Sequence, residues 1–395
     1  MVNPCRMIAL LLAATLPPPA EAGITFRAGK IERRLAQGLA DRTTRRPVRI
    51  TDPVRLASIS KLAVALAALR LVERRMLDLD RDVANYLGWR LRNPAFPDVP
   101  VTLRQLLSHT SGVRDAAGYV MALDDDLAAR LADPRAWDDR HGSGHFAYAN
   151  LNYALVAAVM EGASGTRFDR LMQTELFVPL GIAGCFNWSG CPAGAAQRAV
   201  VLYRASGEIA ADNLRGRAPP CPGLPARDGS CDLARYRLTR SSGFFSPQGG
   251  MRLAPVGLAR LGMAIVRPGY LSRATLTQLA QPVWRYNGAN GETEGGFYCA
   301  YGLGVMFTAA ATQRVECPDD PVGDGRLRIG HAGEAYGLRS GLWVDPATGR
   351  GIAFYTTAVA DDAPVGRSAY TVREEAVIAR LNGARQARIK RLQAQ

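Results

Sequence analysis

The chain has 395 residues, 48% of them hydrophobic, and a formal charge of +14 at pH 7, enough apolar material for a large core in one or two domains. The charge favours anionic surroundings such as cell-wall polymers or lipid head groups. No zinc-finger or RNP-type aromatic pattern accompanies it, and beyond the first residues no apolar run approaches the length of a bilayer span, so neither a nucleic-acid partner nor a stable membrane span is expected.

In chain order, Arg6 precedes the apolar run "MIALLLAATL", and "PPPAEA" follows with the small-x-small triplet Ala20-Glu21-Ala22. This predicts a secretory leader over residues 1–22, too short to remain in a bilayer, with cleavage after Ala22. An ordinary N-terminal helix is the alternative. Loss of Cys5 with the leader leaves six cysteines in three local couples: Cys185 and Cys191, Cys221 and Cys231, Cys299 and Cys317. An even count in an oxidising compartment suggests disulfides within those couples, in a periplasmic or secreted protein. No Cys-x-x-Cys pair is present to suggest structural zinc.

Residues 23–51 alternate polar and apolar between turns, which predicts one or two strands. "LASISKLAVALAALRLV" (56–72) predicts a buried helix with Ile59, Leu62, Leu66 and Leu69 on one stripe. "LDLDRDVANYL" (77–87) is an acidic turn, and helices follow at 102–112, 151–165 and 167–181. Residues 183–247 are rich in Gly, Pro and Ala and hold four of the cysteines, a long loop that needs staples. Beyond it, "YGLGVMF", "GLRSGLWVDP" and "RGIAFYTTA" predict strands, Asp345–Gly349 a hairpin turn, and 371–392 a basic helix. Strands at both ends with a helical region of about 58–270 between them predict an α+β fold: an antiparallel sheet built from both termini, with flanking helices and the helical region inserted. A crevice is expected where the two parts meet.

Ser58 and Lys61 stand three apart at the start of the first helix and share a face. Two explanations fit. Serine is a favoured helix cap, and an amine beside a serine hydroxyl is able to take its proton and make it a nucleophile. Other segments carry the remaining parts of such a site. Tyr148-Ala149-Asn150 precedes a helix, and His331-Ala332-Gly333 precedes a strand, where a glycine allows close approach of a substrate. Ser111 is a second serine candidate without a nearby lysine, and His109 beside it fits a core position. His141 and His145 lie in a glycine-containing loop, with no H-E-x-x-H helix to suggest a catalytic metal.

The order "SISK", "YAN", "HAG", with flanks such as "TLRQLLSHTSG" and "FAYANLNYALVAAVMEGASG", resembles the serine β-lactamase and penicillin-binding-protein superfamily, in its class C-like esterase and D-peptidase branch, over roughly residues 30–360. The resemblance implies one hydrolase domain over 23–395 that needs no cofactor or metal. Ser58 would be the acylated nucleophile, Lys61 its base, and Tyr148 the proton carrier to the leaving group. Asn150 would orient Lys61 and the substrate amide, and the backbone N–H groups of Ser58 and Glu334 would form the oxyanion hole, with Gly333 beside the substrate. His331 stands where relatives carry lysine, so a partly exposed imidazole with a pKa near 6.5 is expected there, disfavouring anionic β-lactams. The cysteine-bearing loop is expected to overhang the crevice. The implied substrate is a small ester, amide or peptide. The alternatives are a D,D-carboxypeptidase or penicillin-binding protein, and a sensor that binds muropeptide or penicillin without turnover.

Overall fold

The structure, a computed structural model, describes residues 18–210, 216–310 and 317–383. Thirteen strands are present among them: β1 (Glu21–Arg27), β2 (Lys30–Gln37), β3 (Leu39–Asp41), β4 (Arg46–Pro47), β5 (Val54–Arg55), β6 (Cys185–Phe186), β7 (Met251–Leu253), β8 (Trp284–Arg285), β9 (Ala300–Tyr301), β10 (Met306–Thr308), β11 (Arg328–Ala335), β12 (Leu338–Asp345) and β13 (Arg350–Thr356). Eight form one sheet in the order β2-β1-β13-β12-β11-β10-β9-β8, so strands from the two ends of the chain lie side by side, one strand in from its β2 edge. There β1 runs antiparallel to β13, from Glu21 opposite Thr356 to Arg27 opposite Arg350. The hairpin from β12 to β13 turns on Asp345, whose Oδ1 accepts from Ala347 N at 2.8 Å and Thr348 N at 3.1 Å.

The inserted part is mostly helical, and its first helix is the seam between the two halves. Helix α1 (Ile59–Glu73) packs on the Leu151–Ser164 helix on one side and on β11 and β12 on another. Twelve of its fifteen residues are therefore buried, where the sequence shows only a stripe. Its alanines admit close neighbours. At Gly304 (φ 74°), in the turn between β9 and β10, a Cβ would lie 2.3 Å from Ala65 Cβ. That turn splits "YGLGVMF" into two short strands.

One helix boundary differs from expectation, and the expected leader boundary falls within a strand. The helix expected over 102–112 ends at Leu107: Ser108 Oγ bonds back to Arg104 O at 2.8 Å, and His109 takes a left-handed φ of 58°. The leader boundary at Ala22 falls inside β1, where Glu21 and Ala22 are buried in the sheet and Ala20 is tied to Thr357. Most of the leader, residues 1–17, lies outside the described residues, as does the basic end of the last helix, which is described over Val372–Asn382. No helix among the described residues is long and apolar enough to cross a membrane. Disulfides join Cys185 to Cys191, Cys221 to Cys231 and Cys299 to Cys317.

Candidate active site

Ser58 immediately precedes α1 with helical backbone angles, and its side chain caps nothing. The capping explanation therefore fails for Ser58. Ser60 is the structural serine of the pair: its Oγ donates to Ala57 O at 2.6 Å and accepts from Met251 N at 2.9 Å, fully buried. Ala57, just before Ser58, holds a left-handed φ of 49°, a strained conformation of the kind that clusters at functional sites. Ser58 lines a cavity of about 390 Å³ together with Tyr148, Asn150, Gly333 and Glu334.

Lys61 is fully buried, and its Nζ has three close partners. They are Ser58 Oγ at 3.0 Å, Asn150 Oδ1 at 2.8 Å and Gln248 O at 3.1 Å. Burial pushes its pKa down to about 7, against the opposing charges of Asp115 and Glu294. A neutral amine has two N–H donors and one lone pair. Two of the partners are carbonyl oxygens that only accept, and only the Ser58 hydroxyl is able to donate. The three partners accommodate an ammonium that donates to all of them and equally a neutral amine with its lone pair on Ser58; it is the burial of Lys61 that favours the neutral form.

Asn150 begins the Leu151–Ser164 helix without capping it by its own side chain. The cap comes from Asp115, whose carboxylate accepts from Asn150 N at 2.8 Å, Asn150 Nδ2 at 2.9 Å and Leu151 N at 2.9 Å. The half-buried Tyr148 ring lies 4.7 Å from Lys61 Nζ and stacks on Tyr298 at 4.8 Å. Burial pushes its phenol well above the usual range, and the negative charge of Glu294 adds to this, while Ser58 acts in the opposite direction. Near neutrality the phenol keeps its proton and the amine is free to lose one.

The ladder from β11 to β10 ends at Gly330, so beyond it β11 is paired on the β12 side and open toward the cavity. At Gly333 a Cβ would lie 2.3 Å from Leu56 O and 3.2 Å from Ser58 N, so the strand passes against the backbone of the serine. The Glu334 side chain pairs with Arg339 across β12.

His331 departs from expectation. It is 1% exposed and absent from the cavity lining. Its Nδ1 lies 2.5 Å from Ala332 O and therefore carries the proton, which leaves Nε2 to accept from the Tyr301 hydroxyl at 2.8 Å. Burial first, and the charge of Lys61 second, push its pKa down to about 3. The ring is neutral and offers nothing to a substrate. The loop over 183–247 also differs: none of its described residues lines the cavity, whose outer wall comes from 294–298, next to the Cys299–Cys317 disulfide, and from 361–374. Ser111 donates to Asn152 Oδ1 at 2.7 Å, and His109 is buried beside it, so both belong to the core. His141 and His145 stack on each other on the loop before Tyr148, where Asp138 completes a cluster but is held by Arg114.

Two site residues had no motif in the sequence, Asp115 and Glu294. Glu294 lines the cavity with a left-handed φ of 47°, and its carboxyl is pushed up to about 6 by burial and then by Glu292 and Glu334. With Glu334, Asp361 and Glu374 it makes four carboxyl groups on the cavity wall against the single guanidinium of Arg339.

Among curated proteins, the chain is 36% identical to esterase EstB of Burkholderia gladioli over 177 residues, 41% of this chain and 45% of that protein. It is 31% identical to penicillin-binding protein 4* of Bacillus subtilis over 153 residues, 37% of this chain and 33% of that protein. These matches therefore span less than half the length of either relative. In fold it resembles the D-amino acid amidase of Ochrobactrum anthropi SV3, with a TM-score of 0.65, 18% identity and 94% of each chain covered. A class C beta lactamase from Rhodobacter sphaeroides gives a TM-score of 0.64 at 18% identity, covering 92% of this chain and 93% of that one. The Beta-lactamase family model matches residues 22–376, a span that holds both halves of the fold and every residue lining the cavity. The chain belongs to the Beta-lactamase family.

Proposed function

We propose that the protein is an exported hydrolase that cleaves small esters or amides through an acyl-enzyme on Ser58, in the manner of an esterase or a D-amino-acid peptidase. The observation that carries this reading is the fully buried Lys61 amine, 3.0 Å from the Ser58 hydroxyl, with its pKa pushed down to about 7 by that burial. Lys61 takes the hydroxyl proton as Ser58 Oγ bonds to the substrate carbonyl carbon. The N–H groups of Ser58 and Glu334 stabilise the oxyanion. As the carbonyl re-forms, the bond to the leaving group breaks, and Tyr148 delivers its proton to that group while regaining one from Lys61. Water then attacks the ester by the same route in reverse.

Anionic β-lactams suit this cavity poorly, because its wall carries four carboxyl groups and one guanidinium. Relatives named as an esterase, a D-aminopeptidase and penicillin-binding proteins support the range of substrates. Three disulfides are compatible with export. The test is turnover of p-nitrophenyl esters, nitrocefin and D-Ala-D-Ala peptides by the purified protein, with Ser58→Ala as control. Sustained ester or amide turnover supports the reading. Stoichiometric acylation without release makes the protein a binding sensor instead, and a strong preference for D-Ala-D-Ala peptides makes it a carboxypeptidase.

A further inference from the structure

An asparagine side chain is nearly symmetric in shape and opposite in polarity at its two ends. At Asn150 that polarity matters. With Oδ1 toward Lys61, the lysine gives an N–H to Asn150 and keeps its lone pair for Ser58. With Nδ2 in that place, an amide N–H would occupy the lone pair, and the base would be blocked. Packing alone distinguishes the two orientations weakly, because oxygen and the amide nitrogen are of similar size.

The neighbour that distinguishes them is Asp115. Its Oδ2 accepts from both the main-chain N and the side-chain Nδ2 of Asn150, at 2.8 Å and 2.9 Å. Its Oδ1 accepts from Leu151 N at 2.9 Å. An ionised carboxylate only accepts, so a flipped Asn150 would set Oδ1 against Oδ2 of Asp115. The carboxylate is itself fixed by two N–H groups at the start of a fourteen-residue helix, where negative charge is favoured. Asp115 does not line the cavity and is half-buried behind it.

We propose that Asp115 is a positioning residue for the hydrolysis: it locks the Asn150 amide with Oδ1 toward Lys61 and so keeps the lysine lone pair on Ser58. This rests on the serine hydrolase reading above. A second consequence concerns charge. The titratable groups around Lys61 are Asp115 and Glu294, the buried imidazoles of His109 and His331, and the phenols of Tyr148 and Tyr153. Asp115 is the larger of the two anionic influences that favour protonated Lys61, so removing its charge lowers the lysine pKa.

The experiment is Asp115→Asn in the full chain, assayed on a neutral p-nitrophenyl ester across pH, beside the wild type. The expected result is a loss of roughly ten- to hundredfold in kcat/KM, as for a misplaced catalytic group, carried mainly by kcat. The acidic limb of the profile should move to lower pH. The exchanged pair Asp115→Asn with Asn150→Asp should recover part of the rate, because a carboxylate at 150 presents an acceptor to Lys61 whichever way it turns. A cap without a positioning role predicts a lower Tm with the rate at the pH plateau as in the wild type, wherever the acidic limb falls, and that result overturns the proposal. If Asp115→Asn does not fold, the exchanged pair carries the test beside Asn150→Asp alone: a rate in the pair above that of the single variant supports the lock, and a folded pair no faster than the single variant overturns it. A wild type without turnover refutes the hydrolase reading, which is a separate outcome.

Discussion

His331 Nε2 accepts from the Tyr301 hydroxyl at 2.8 Å, turned away from the cavity that Ser58 lines. The imidazole is neutral throughout the working range, with its pKa pushed down to about 3. The group that titrates near neutrality is Lys61, brought down to about 7 by burial.

The pH profile should reflect that difference. The reactive form is the neutral amine, so kcat/KM for a neutral ester is expected to rise with pH through about 7 and then level off. His331→Gln should leave this limb in place, whatever it does to the absolute rate. A limb that vanishes in that variant would assign the titration to the histidine.

The two serines of "SISK" should separate by experiment. Ser58→Ala is expected to abolish labelling by a fluorophosphonate and to lower kcat by a factor of roughly 10⁴ to 10⁶. Ser60→Ala removes the partner of Ala57 O and Met251 N, and should cost about 1–3 kcal/mol in stability while Ser58 still takes the label. Label found at Ser60 or Ser111 in the Ser58 variant would reassign the nucleophile.

What the sequence made legible follows from how local each signal is. The Ser58–Lys61 spacing and the hairpin at Asp345 depend on neighbours within a few residues, and the couples of cysteines on partners no more than 18 residues apart, so pattern alone carries them. The environment of His331 does not. Its neutrality comes from burial among strands that meet only in the folded sheet and from the charge of Lys61 on a distant helix, and its partner Tyr301 is thirty residues away. Asp115 reaches Asn150 across 35 positions, and Glu294 joins the cavity from a loop far along the chain from Ser58 and Tyr148. An isolated acidic residue in a loop gives no periodicity by which to find it.

The N-terminus offers a third test. Glu21 holds Gln37 Nε2 at 2.6 Å, Thr356 Oγ1 at 3.1 Å and Arg373 Nε at 3.3 Å, and pairs with Arg380. Ala20 N donates to Thr357 Oγ1 at 3.0 Å. Cleavage after Ala22 would remove these ties, so if a leader is removed on export, the mature chain is expected to begin before Ala20. Intact-mass analysis of the processed protein checks this; a mature chain starting at Gly23 contradicts it. Glu21→Ala should cost about 1.5–3 kcal/mol, the range for hydrogen bonds to a charged group, read as a shift in denaturant midpoint.

Charge selectivity, which the sequence placed at His331, should follow Glu294. This carboxyl stands on the cavity wall with Glu334 nearby, and its charge reaches Lys61 and Tyr148. Two p-nitrophenyl esters that differ only by a terminal carboxylate give the measurement, as a ratio of kcat/KM values. The wild type is expected to favour the neutral ester. Glu294→Gln should shift the ratio toward the anionic ester by roughly fivefold, about 1 kcal/mol for one charge pair in a partly screened site. The sign with pH follows from the raised pKa of about 6. Above it Glu294 is ionised and repels the carboxylate; below it the proton removes that repulsion. The wild-type ratio should therefore move toward the anionic ester between pH 8 and pH 5, even as both rates fall with protonation of Lys61. In Glu294→Gln that drift should disappear. A ratio that is the same in wild type and variant, and flat with pH, would place charge selectivity elsewhere on the wall, at Glu334 or Asp361.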